Sequence, residues 1–525
     1  PIKSSAASDV YKRQLVDCGM EQGNDVYENQ ELPVVASDVD CILLTHAHID
    51  HSGLIPLMYV NGFRGQVYST SATAQLCEIM LRDSAHIQMF EAEWRNRKAA
   101  RSGGKLKEFV PLYDMDAAVN VCKQFVGCEY DKIYNIADGI KIRFTDVGHL
   151  LGSASIEVWA TEKTENGDVT EKIVFSGDIG NINKPIIKDP KHVTDADYVV
   201  MESTYGNRSH GGTPNYVEDL TNIFKRTFER GGNVVIPSFA VGRTQELLYI
   251  IRKIKEDNLV GRDFDVYMDS PLAIEATNIF IKNVESCFDD EAVELVRKGI
   301  NPLSFPGLKY ATTGDESKQI NFDPNPKVII SSSGMCEAGR IRHHLKHNLW
   351  RPECTIVFVG YQAVGTTGRI IVDGAEEIKL FGEPIQIKAE IVQLKGSSGH
   401  ADKDGLLCWI NAFDRKPKKV FVVHGEDSVC DEFTECLKEE YGYDAMAPYT
   451  GGSYDLIADR VISEGVKERK TRRTTSTQRG KTVFDRLVAA GKRLMTVITH
   501  NEGGTNKDLA KFTDQINALC DKWDR

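Results

Sequence analysis

The seven residues T-H-A-H-I-D-H at 45–51 constrain this chain more than any other stretch, because they follow directly on the apolar run C-I-L-L at 41–44. His46, His48, Asp50 and His51, all nitrogen or oxygen ligand candidates, fall within six residues at the end of what reads as a buried strand. Side chains alternate with period two along a strand, which puts His46 and His48 on one side. The turn that follows can carry Asp50 and His51 to a second point nearby, so one segment can serve two metals. The competing reading is a polar loop rich in histidine by chance. Three of the chain's 13 histidines in one six-residue window weigh against it.

A length of 525 residues suggests two or three domains with sizeable cores. The formal charge of −12 gives no global electrostatic case for nucleic acid, although it leaves room for a local basic channel. The 12 cysteines are scattered without a C-x-x-C pair, which favours a reducing compartment and a cytoplasmic site. No apolar run approaches the roughly 20 residues that span a bilayer, so no membrane partner is expected.

Further candidates lie at the ends of other strand-like runs. Asp17 follows L-V at 15–16 and precedes Gly19. The alternating run 140–144 leads to D-V-G-H-L-L-G-S, which contains His149, and I-V-F at 173–175 leads to S-G-D-I-G, which contains Asp178. Y-V-V-M at 198–201 ends in Glu202, and K-V-F-V-V at 419–423 ends in His424. The run 389–394 leads to G-S-S-G-H-A-D, which holds His400. Taken singly, each histidine or carboxylate reads as a solvated or satisfied strand-end residue. Between these segments, 71–101 reads as one or two helices with His86 on their surface or in their packing, and 207–383 alternates strands and helices. The backbone amides of Ser331, Ser332, Ser333 and Gly334, after the strand at 328–330, are candidates to receive a phosphate, although an ordinary strand-to-helix turn reads the same. His343, His344 and His347 have helical zinc spacing but no further ligand in the region to complete a site.

In order, these motifs carry a resemblance. H-x-H-x-D-H is similar to the signature of the metallo-β-lactamase superfamily. M-E-S-T-Y-G at 201–206, P-S-F-A-V-G-R-T-Q-E at 237–246, S-G-H-A-D at 398–402 and V-H-G-E at 423–426 resemble the β-CASP branch, which processes nucleic acids. The resemblance covers about 15–459. It implies an α/β fold, a metallo-β-lactamase αββα sandwich interrupted by an inserted α/β domain. The implied parts are 15–206, an insertion at 207–383, a return at 384–460 and an extension at 461–525.

The resemblance further implies that one metal takes His46, His48 and His149, the other Asp50, His51 and His424, and that Asp178 bridges them. Asp17 would orient the loop. These ligands suit two divalent ions, zinc foremost, with manganese admitted. His400 would act as general acid, held by Glu202, with Asp50 counted in the catalytic set through its metal. The implied activity is hydrolysis of single-stranded RNA; His424 favours RNA over DNA by analogy with the RNA-processing branch. A homodimer is compatible with this reading.

Residues 1–14 read as a non-native leader similar to a translated sequencing adapter, with the first strands of the domain missing behind it. Residues 467–481 hold seven basic residues against one acid and read as an exposed linker, and 482–525 as two short helices. Two other functions compete: a hydrolase of a small ester, thioester or lactone, and a metal-free scaffold. The first needs neither the insertion nor His400 and Glu202; complete ligand positions argue against the second.

Overall fold

A computed structural model of the chain describes residues 13–21, 32, 34–101, 109–165, 167–209, 211, 215–394 and 398–467, and further on 487–488, 490–491, 494–495, 497–499, 501 and 506–523. The first sheet is parallel, β1 (Gln14–Val16), β2 (Cys41–Leu43), β3 (Gln66–Thr70) and β4 (Phe125–Cys128), in that spatial order. β1 begins at Gln14, so the expected leader yields its last residue to the sheet; residues 1–12 lie outside the described residues.

The second sheet opens with four antiparallel strands, β5 (Tyr134–Ala137), β6 (Ile140–Asp146), β7 (Ala154–Thr164) and β8 (Gly167–Phe175). β9 (Tyr198–Glu202) then runs parallel to β8. The two sheets meet face to face through Cys41, Leu43 and Cys128 on one side and Ile142, Phe144, Ile156 and Val158 on the other. The outer face of the first sheet carries the 31-residue helix Ser71–Arg101, a single element on whose surface His86 is exposed.

The insertion is built on a parallel sheet containing β10 (Val234–Pro237), β11 (Asp265–Asp269), β12 (Leu308–Tyr310), β13 (Lys327–Ser331) and β14 (Thr355–Phe358). Val234 and Ile236 face one apolar cluster while Val235 faces another, which is why these strands read as unbroken apolar runs. A hairpin of β15 (Glu377–Leu380) and β16 (Glu383–Gln386) follows. β17 (Glu390–Gln393), expected to open the returning part, instead pairs in parallel with β14 at the edge of the inserted sheet. Its apolar pattern suits either sheet, and only the pairing assigns it. The six strands run β12-β11-β13-β10-β14-β17.

The chain then rejoins the second sheet at β18 (Lys419–Val423), parallel to β9 with Val423 opposite Glu202, and β19 (Ala445–Met446) closes that edge. Helices Lys403–Ile410 and Asp427–Glu439 cover it through Leu406, Trp409, Phe433 and Leu437, completing the four layers. Among the described residues no helix is long and apolar enough to cross a membrane. Most of the basic stretch at 467–481 lies outside the described residues, and the tail includes an 18-residue helix, Asn506–Trp523.

In the insertion, His344 is consumed by structure. Its Nε2 lies 2.6 Å from the fully buried Asp269 carboxylate, which also accepts from Ser317 Oγ and, at 2.7 Å, from Arg340. Burial alone would raise the Asp269 carboxyl, but these bonds hold it below its ordinary range. The carboxylate therefore contributes stability above about pH 4, and that contribution is lost as pH falls through the depressed folded value. D269N should lower stability by about 3–5 kcal/mol at pH 7, where it leaves Arg340 and His344 facing a neutral partner. Urea melts should show the gap between mutant and wild type narrowing below about pH 4.

Candidate metal centre

All the candidate ligands stand just beyond the C-terminal ends of strands, and those ends share one rim. Asp17 follows β1, His46 follows β2, His149 follows β6, Asp178 follows β8 and His424 follows β18. The β9–β18 pairing sets His424 beside Glu202 across 222 residues of chain.

Asp17 organises the first loop. Its Oδ1 accepts the Thr45 amide and its Oδ2 accepts the Thr45 hydroxyl, each at 2.8 Å, and His51 Nδ1 lies 2.7 Å from Oδ2. The short helix Ile49–Ser52 is laced to the same turn, with Cys18 donating to His51 O and Met20 to Ile49 O. Glycine is required at 19, where a Cβ would stand 1.4 Å from the Asp50 carbonyl oxygen.

These bonds settle which ring nitrogens face inward. Thr45 Oγ1 already donates to Asp17, so His46 Nδ1, 3.1 Å away, is the donor to it. His149 Nδ1 donates to the Gly399 carbonyl at 3.2 Å, and His51 Nδ1 donates to Asp17. The Nε2 lone pairs of His46 and His149 therefore converge on His48 Nδ1 at 3.0 and 3.2 Å, and both lie 3.4–3.5 Å from Asp178 Oδ2. Donors about 2.05 Å from a tetrahedral zinc lie about 3.3 Å apart, which matches this spacing. Burial, and then the charge of neighbouring histidines, pushes His46 and His149 well below the ordinary histidine range, so protons are disfavoured as the means of relieving the lone-pair contact.

A second set sits on the other face of Asp178. His51 Nε2 lies 3.0 Å from His424 Nε2 and 3.2 Å from Asp178 Oδ1, and Asp50 Oδ2 is 3.8 Å from His424 Nε2. Asp178 Oδ1 is buried without a hydrogen-bond partner, as expected of an oxygen reserved for a cation. His424 is turned over the set by a left-handed backbone, φ +52°. The arrangement thus fits two cations bridged by one carboxylate. The His46 and Asp178 side chains are at most 2 % exposed, whereas Asp50 is 46 % and His424 31 % exposed, so the second set opens outward.

His400 stands at the opening. Its Nδ1 lies 3.3 and 3.4 Å from the two Glu202 oxygens, and its ring packs on His149. Glu202 is buried and accepts the amides of Ile179 and Thr204. Burial works against the charged imidazole, but Glu202, with Asp178, outweighs it and raises the His400 pKa.

Around the phosphate candidates one amide, one hydroxyl and one carbonyl have partners within the fold. Ser331 Oγ donates to the Asp269 carbonyl, the Ser333 amide donates to Ala338 O and the Gly334 carbonyl accepts from Gln362. Ser332 Oγ is buried with no partner. Sequence reasoning missed Thr45, the Gly399 carbonyl and Lys184. The Lys184 Nζ donates to the His149 carbonyl at 3.1 Å and pairs with Glu246 of the insertion at 3.1 Å. Thr45 was within the opening motif; nothing local marks Lys184.

D17A should weaken metal binding at the His51 set by about 10–100-fold, because His51 loses the acceptor that fixes its tautomer. Competition with a chromogenic zinc chelator measures this. D17N, which keeps an acceptor oxygen, should lose less.

Three family models match in chain order: a metallo-beta-lactamase superfamily domain over 9–182, a Beta-Casp domain over 244–371 and a Zn-dependent metallo-hydrolase RNA specificity domain over 384–448. Ribonuclease TTHA0252 of Thermus thermophilus is 35 % identical over 417 residues, 79 % of this chain and 88 % of that protein. An RNase J-like protein of Methanocaldococcus jannaschii is 31 % identical, over 79 % of this chain and 87 % of that protein. Transcription termination factor FttA of Methanosarcina mazei is 31 % identical over 83 % of this chain, which spans 66 % of that factor's length.

Proposed function

Because the chain belongs to the β-CASP family of metallo-β-lactamase-fold nucleases, we propose that it is a metal-dependent ribonuclease with two divalent ions, zinc foremost. Its substrate on this reading is single-stranded RNA, and its site of action the cytoplasm, in keeping with twelve free cysteines. The observation that carries it is the convergence of imidazole nitrogens and carboxylate oxygens on both faces of Asp178, with the buried Glu202 and its partner His400 beside them.

His46, His48 and His149 would hold one ion, and Asp50, His51 and His424 the other, with Asp178 between. Ions held there would supply an acidified water and draw charge from the phosphodiester oxygens. The protein does the rest. Asp17, Thr45 and the Gly399 carbonyl hold protons on the outer nitrogens of His51, His46 and His149, keeping the inner ones as donors of lone pairs. His400 Nδ1–H is held by Glu202, so Nε2 hands a proton to the leaving 3′-oxygen, and the carboxylate stabilises the charged imidazole before it does so.

A small-ester or lactone hydrolase would use the same ions but has no task for a buried carboxylate tied to a histidine at the mouth of the site. End-labelled single-stranded RNA, the matching DNA and a chromogenic lactone, each incubated with the zinc-loaded protein, separate the readings. RNA cleavage well ahead of the other two is expected; rapid lactone turnover without RNA cleavage would overturn the proposal.

A further inference from the structure

The chain carries a net charge of −12, yet its substrate on this reading is a polyanion, so cations at the mouth of the site matter more than their number. Lys184 and Arg243 are both spent on Glu246. Arg208 is exposed, and among the described residues no carboxylate pairs with it.

Its placement is specific. The guanidinium lies over the Tyr205 ring, 4.4 Å from the centroid, and that ring meets His400 edge-on at 6.0 Å between centroids. The backbone is tied to the segment that carries His400. Lys403 N–H donates to the Arg208 carbonyl at 3.0 Å, and the neighbouring Ser209 hydroxyl donates to Asp404 at 2.7 Å. Arg208 also closes its own turn by donating its amide to Tyr205 O. A guanidinium placed over an aromatic face still has N–H groups to offer an acceptor at its edge, and a phosphate takes such groups from arginine.

We propose that Arg208, seated on Tyr205, is a substrate-positioning residue that binds an RNA phosphate next to the scissile one and so sets the strand against His400. This rests on the ribonuclease reading above. It makes two demands of Arg208, a positive charge and proximity to the strand, and both are measurable without catalysis.

The test is equilibrium binding of a fluorescein-labelled single-stranded oligoadenylate to the full, metal-loaded chain, with H400A in every sample to hold turnover down. Anisotropy is followed from 50 to 200 mM KCl for the parent, R208Q and R208K. For R208Q, binding should weaken about tenfold at 50 mM KCl, and the slope of log K against log [KCl] should become shallower by about 0.7, the value of one phosphate contact on a single strand. R208K keeps the charge and should keep the parent slope. An R208Q slope equal to the parent's overturns the proposal, as does R208K behaving like R208Q, which would assign the residue to packing on Tyr205. Cleavage by the His400-containing protein is scored separately. RNA cleavage with an unchanged R208Q slope removes only this proposal. Absent cleavage with the slope change intact leaves Arg208 an RNA contact and removes the hydrolytic reading.

Discussion

D178A is expected to leave less than one equivalent of tightly bound metal per chain and to lower RNA cleavage by at least roughly a thousandfold. Asp178 is the one group that addresses both ligand sets, Oδ2 toward His46 and His149, Oδ1 toward His51 and His424. Burial works against its charge, but the neighbouring histidines, His51 foremost and then His424, hold its carboxyl well below the ordinary range. Without it the two sets become five converging imidazoles and Asp50, with no anion between the ions to offset their mutual repulsion. Metal ions contribute several kcal/mol of transition-state stabilisation, and each 1.36 kcal/mol is tenfold in rate, which gives the stated scale. Elemental analysis of the dialysed protein and a single-turnover assay measure the two effects. Retention of two ions by D178A contradicts the bridging role.

H400A is expected to separate what D178A joins. The residue stands against Glu202 and makes no demand on the inward lone pairs, so metal content should stay at the wild-type level. The rate should fall by at least about two orders of magnitude, the usual scale of a positioned acid. A leaving group that needs no proton shows whether the loss is in acid catalysis: an RNA with a 3′-phosphorothiolate at the cut should recover most of the rate in H400A. Parallel loss of metal and activity would place His400 among the ligands instead, and an equal deficit with both leaving groups would remove the proton-transfer role.

The sequence is legible where a function is local. His46, His48, Asp50 and His51 announce themselves because one strand end and one helical turn hold them. His149, Asp178 and His424 are separated by long stretches of chain, and each has a bland reading; their common order along a resembling family groups them, and parallel pairing such as Val423 opposite Glu202 brings them to one rim. The outer partners were less visible. The Gly399 carbonyl sets the His149 tautomer from 250 residues away, and Lys184 ties His149 to Glu246, through contacts that no spacing encodes. That β17 joins the inserted sheet and not the returning part is not legible in the sequence for a related reason: a strand buried in an α/β sheet has the same apolar pattern whichever sheet it joins.

On the proposed reading this rim is a two-ion RNA-cleaving centre that joins the segment 46–51 to His400 and His424. It is tested most directly by stripping the protein of metal and measuring cleavage of end-labelled single-stranded RNA as zinc, or in parallel manganese, is added back in counted equivalents. Activity should be absent without metal and should rise to a plateau at two ions per chain. Cleavage that survives stripping, or a plateau at one ion, would contradict it.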